Sequence, residues 1–77
     1  MQVNVLFFGH LTDITGVSNV SVEGIDNTEQ LVNELKRRYP MLQDLPYAIA
    51  VEMEFVNGNM SLKDNDTVAL LPPYSGG

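Results

Sequence analysis

Hydrophobic and polar positions set out the elements from the second residue onward. In QVNVLFF (residues 2–8), Val3, Val5 and Phe7 share one face by the two-residue period of a strand. Asn4, Leu6 and Phe8 share the other face. Most of that second face is apolar too, so both sides of this strand are expected to be covered. Gly9 breaks the run. Residues 10–15 fit a short helical turn, with Leu11 and Ile14 inward and Gly16 closing it. Alternation returns in VSNVSV (residues 17–22), where Val20 and Val22 oppose Ser21, as in the second strand of a hairpin.

The period then changes to that of a helix. Asn27 fits an N-cap, with Gln30 at the third helical position of a capping-box pattern. Leu31, Val32, Leu35 and Tyr39 mark one face. Glu29 lies in the first turn and Lys36, Arg37 and Arg38 in the last, the charge order that suits the helix dipole. Pro40 stops the helix near Tyr39. Residues 41–47 read as irregular. AIAV (residues 48–51) predicts a short buried strand, and Phe55-Val56 a small return strand before an Asn57-Gly58 turn. Leu62 precedes a polar turn at residues 63–66. TVALL (residues 67–71) predicts the last strand, ended by Pro72-Pro73, since proline cannot donate to a ladder.

The order is hairpin, helix, short strands, final strand. A first and last strand that are both strongly apolar pair in parallel at the sheet centre, with the helix crossing between them. The predicted fold class is α+β, a ubiquitin-like β-grasp: a mixed sheet with one main helix on one face and none on the other. Residues 1–73 are expected to form this domain, and residues 74–77 a flexible tail.

Composition narrows the function. A chain of 77 residues fits one small domain. Such a domain buries only about 60% of its unfolded surface, too little to wall a deep pocket of its own. Ten acids against four bases leave a net charge of −6, which argues against nucleic acid and favours a basic protein partner. Acidity also serves solubility. The absence of cysteine excludes a disulfide framework, a thiolate nucleophile and a cysteine zinc site. No run approaches the roughly 18 apolar residues of a membrane span, and the first residues carry no positive charge of a signal peptide. A cytoplasmic location, with no membrane partner, is expected.

The opening VLFFG, the helix NTEQLVNEL with the following YP, the segment AIAV and above all LKDNDTVALLPPYSGG resemble the MoaD family. These are the small, ubiquitin-like sulfur-carrier subunits of molybdopterin synthase, within the wider ThiS/MoaD group. The resemblance covers nearly the whole chain in order. It implies that an ATP-using, ubiquitin-activating-type adenylyltransferase (MoeB-like) joins the carboxylate of Gly77 to AMP. A sulfide equivalent then leaves a C-terminal thiocarboxylate. The carrier docks on the large synthase subunit (MoaE-like), its tail Tyr74-Ser75-Gly76-Gly77 threads into that subunit, and sulfur passes to a pterin precursor of the molybdenum cofactor. The chain would bind no cofactor or metal itself and would hold no complete active site alone.

Residue chemistry fits that scheme. A free carboxylate is a poor electrophile, and AMP supplies the leaving group. Gly76 and Gly77 have no side chain, so they can pass a narrow channel and adopt φ values closed to other residues. Pro72-Pro73 stiffens the tail root, which lowers the entropy cost of threading. By the same resemblance Phe8, Phe55 and Leu71 present an apolar surface to the large subunit.

The chain departs from the family at two points. Glu52-Met53-Glu54 stands where a small polar turn is usual and is a poor turn sequence, which weighs against a tight hairpin there. Thr12 stands where an arginine is often found, so any ion pair made by that arginine is lost. His10 is the only histidine and has no clustered acids, and Asp64-Asn65-Asp66 lacks calcium-loop spacing. Alternatives are a carrier for thiamine synthesis or tRNA thiolation, a ubiquitin-like modifier joined through Gly77 to lysines, and a plain binding module. Pro-Pro before Tyr74 favours the molybdopterin branch.

Overall fold

A computed structural model describes residues 1–72. Strands β1 (Gln2–Phe7) and β2 (Asn19–Glu23) pair antiparallel around the short helix α1 (Leu11–Thr15), which Gly16 caps. Helix α2 (Thr28–Arg38) follows, then a 3₁₀ turn (Pro40–Asp44), β3 (Ala48–Val51), β4 (Glu54–Phe55) and β5 (Thr67–Leu71). The strands form one sheet in the order β2-β1-β5-β3-β4. The central pair, β1 and β5, is parallel, with Asn4 opposite Thr67 and Phe7 opposite Leu70. The chain has the ubiquitin-like β-grasp arrangement expected from its element order.

Helix α2 begins where its cap chemistry places it. The Asn27 side chain accepts from the Gln30 N–H at 2.9 Å. The Gln30 side chain accepts in return from the Asp26 N–H, one residue earlier than a standard capping box. A second acceptor comes from far along the chain: Asn59 Oδ1 takes the Glu29 N–H at 2.9 Å and the Thr28 hydroxyl at 3.2 Å. Several of the free N–H groups at this helix start are thereby satisfied.

The alternation of β1 divides the molecule. Val3, Val5 and Phe7 are buried against Leu31 and Leu35 of α2, together with Leu11, Val22, Leu42, Val68 and Leu70. Tyr39 meets Phe7 edge to face, with ring centres 5.8 Å apart. Truncating a fully buried leucine such as Leu35 to alanine would cost about 2–5 kcal/mol. The opposite face of β1 is not covered, contrary to the expectation drawn from its apolar pattern. Leu6 is partly exposed and Phe8 is 44% exposed, because only one face of the sheet has a helix. The return strand also falls one residue earlier than expected, at Glu54–Phe55.

A tight hairpin does form after β3. Val51 pairs with Glu54 and Ala50 with Phe55, so Glu52 and Met53 alone make the turn. Both have positive φ, 49° and 70°, the geometry of a primed hairpin turn that usually calls for Asn or Gly.

Candidate functional site

The uncovered face of the sheet is built by register. Leu6 lies opposite Ala69, Ala69 opposite Ala50, and Ala50 opposite Phe55, so one row crosses four strands. Side chains opposite one another in a sheet share a face. Ala48 lies opposite Leu71 in the next row. The Phe8 N–H donates to the Leu70 carbonyl at 3.1 Å, which carries Phe8 onto this face just past the end of β1.

Small residues at the middle and large ones at the ends make a shallow trough. Ala50 and Ala69 form its floor, Leu6 and Phe8 one side and Met53 the other, around a space of about 400 Å³. Phe55 is 73% exposed and Met53 97% exposed, whereas Leu71 is half-buried. Water against this much apolar surface is unfavourable, so a partner of matching shape would be stabilised by covering it. Glu52 at the rim adds negative charge.

Phe8, Phe55 and Leu71, the residues that the family resemblance singled out, are therefore brought to one face. Met53 joins them, and nothing in the sequence pointed to it, because its place depends on a turn whose residues argue against turning. Tyr74, Ser75, Gly76 and Gly77 lie outside the described residues, and β5 leads toward them from Leu71 through Pro72.

The remaining candidates find ordinary employment. Asp64 Oδ1 accepts from the Gln2 N–H and ties the loop to β1, while Asp66 Oδ2 accepts from the Lys63 N–H and closes the turn on itself. Arg37 and Arg38 both reach Glu34, at 2.6 and 2.8 Å. The hydrogen bond from Arg37, joined by that from Arg38, lowers the Glu34 pKa to about 2. Thr12 donates its hydroxyl to the Phe7 carbonyl at 3.0 Å. Among the described residues, no three His, Cys, Asp or Glu side chains gather as a metal site, and no helix is long and apolar enough to cross a membrane.

Residues 5–77 match the ThiS family. Over 83 aligned residues the chain is 39% identical to the molybdopterin synthase sulfur carrier subunit of Homo sapiens, covering 99% of this chain and 94% of that one. A chain of the solved complex of subunits 1 and 2 of the molybdopterin-converting factor from Helicobacter pylori 26695 is 32% identical, with a TM-score of 0.76 over all of both chains. Small archaeal modifier protein 1 from Methanosarcina acetivorans has a TM-score of 0.86 at 22% identity, over 99% of this chain and 96% of that one, a likeness of fold alone.

Proposed function

The chain belongs to the ThiS family, and from that membership we propose that it is the sulfur carrier subunit of a molybdopterin synthase. The observation that carries this most is the 39% identity to the human sulfur carrier subunit over essentially the whole chain. The partner is a large synthase subunit, a proposal supported by the similar chain in the Helicobacter pylori complex of subunits 1 and 2.

The geometry suits that work. One strand, β5, carries Ala69 and Leu71 on the open face and runs on toward residues 73–77. Docking of the trough lined by Leu6, Phe8 and Met53 would therefore deliver the chain end to the partner at the same time. Phe55 extends this surface at the far edge of the sheet.

The chemistry resides at Gly77. Its carboxylate oxygen attacks the α-phosphate of ATP on an activating adenylyltransferase, pyrophosphate leaves, and an acyl-adenylate forms. A hydrosulfide equivalent, supplied already reduced by a sulfur donor, adds to the acyl carbon and AMP leaves. The thiocarboxylate sulfur then passes to the pterin precursor, and water restores the carboxylate. Gly76, Ser75 and Tyr74 form the arm, and no cofactor is held by this chain.

A chain with one residue appended after Gly77 tests this. Mixed with the large subunit, the activating enzyme, ATP and a sulfur donor, it is expected to yield no dithiolene product. Product formation at the unextended chain's rate would refute the role of Gly77. Conjugation of Gly77 to lysines of other proteins is the second possibility, and branched Gly-Gly remnants on those proteins would support it.

A further inference from the structure

The root of the tail holds a contact that the docking face does not use. β1 and β5 run parallel, and the Phe8 N–H bonds the Leu70 carbonyl, so the residues that follow, Gly9 and Pro72, come side by side. Pro72 has no N–H, and the ladder cannot continue through it. Gly9 stands at φ +57°. The Phe8 carbonyl accepts from Leu11 and the Gly9 carbonyl from Thr12, both at 3.2 Å, so Gly9 is held as the turn into α1. An L side chain at Gly9 would put its Cβ 2.8 Å from Pro72 Cγ and 3.5 Å from Pro72 Cδ. Favourable carbon contacts lie at about 3.5–4.0 Å, so the first distance is a collision. The space left by the missing side chain of Gly9 is the space that the Pro72 ring takes.

We propose that Gly9 is a positioning residue for the reactive end: it seats the Pro72 ring, and this seat fixes the point from which the tail starts. This inference rests on the sulfur-carrier function. Proline's own φ is locked near −65°. With the ring also held against Gly9, the position of Pro72 is set from two sides. The open face fixes where the domain sits on its partner, and the seat fixes where the tail starts from. Displacing a reacting group by about 1 Å can cost on the order of 100-fold in rate. Gly9 does not itself line the trough, so the effect of a substitution there is expected on turnover more than on docking.

The test uses the full-length thiocarboxylated chain as substrate of the large subunit, in a double-mutant cycle of Gly9→Ala and Pro72→Ala. Gly9→Ala is expected to lower kcat roughly tenfold while KM for the carrier stays within about twofold. Pro72→Ala removes Cγ and Cδ, so adding Gly9→Ala to it is expected to cost little more. Backbone strain at φ +57° remains in both backgrounds. An equal loss in both backgrounds, or unchanged kcat, would overturn the seat. NMR of the unsubstituted chain checks the contact without any need for the variants to fold. A cross-peak between the Gly9 α-protons and the Pro72 ring protons is expected, and its absence overturns the proposal. A loaded wild-type chain that transfers no sulfur would overturn the carrier function and the proposal with it. An active wild type with a failed cycle overturns the seat alone.

Discussion

Glu52 and Thr67 are joined by two hydrogen bonds. The Glu52 N–H donates to the Thr67 carbonyl at 2.9 Å, and the Glu52 carboxylate accepts from the Thr67 N–H at 2.5 Å. The pair continues the β3–β5 ladder one step past Val51 and Val68, with a side chain standing in for a main-chain carbonyl. A turn of two residues poorly suited to positive φ is thus held from outside the turn. Glu52→Ala leaves the Thr67 N–H without this acceptor and is expected to destabilise the domain by about 1 kcal/mol. Thermal unfolding would show it as a drop of roughly 4–8 °C. An unchanged midpoint would mean that the carboxylate contributes nothing.

Met53 gives the opposite sign. Its φ of 70° strains an L side chain, and its 97% exposure means that little packing is lost on truncation. Met53→Gly is expected to raise stability by about 1 kcal/mol, since glycine enters this region without a Cβ clash. The same change removes one wall of the trough, so affinity for the large subunit is expected to fall while stability rises. A parallel rise or fall of both would contradict this separation.

Glu34 predicts a pH dependence. Its pKa is lowered from 4.5 to about 2 by the hydrogen bonds from Arg37 and Arg38. A depressed carboxyl pKa stabilises the fold above the unfolded value, and the contribution is lost as pH falls through the folded one. The window therefore runs from about 4.5 down to about 2. Carboxyl-carbon NMR is expected to place the Glu34 midpoint near 2, and Arg37→Ala to move it up. A midpoint near 4.5 in the native chain would contradict the fork.

Leu71→Glu addresses the open face. Leu71 is half-buried on the uncovered side of β5, where a carboxylate can still reach water, so the fold is expected to survive. Covered by a partner, that charge would be costly. Titration against the large subunit is expected to show at least about tenfold weaker binding, with an unchanged circular dichroism spectrum. Equal binding would remove Leu71 from the docking surface.

Local patterning made most of the framework legible before any coordinates. The alternation of Val3, Val5 and Phe7, the cap at Asn27 and the stop at Pro40 each act within a few residues, and each lies where its chemistry put it. What escaped depends on distant partners. Asn59 supplies acceptors to Thr28 and Glu29 across some 30 residues of chain, and Glu52 meets Thr67 across 15. Leu6 and Phe8 misled because an apolar strand face signals burial, without saying whether the cover is the chain's own or a partner's. The likeness of LKDNDTVALLPPYSGG to sulfur carriers, more than any pattern of burial, directed attention to Gly77.

Intact-mass analysis of the chain purified from its native cells tests the central claim most directly. Exchange of one terminal oxygen for sulfur adds about 16 Da, a change that fragmentation would localise to Gly77. A species with that increment, lost on deletion of the activating enzyme, is the predicted result. A Gly77 carboxylate that stays unmodified while molybdopterin is being made would contradict the account.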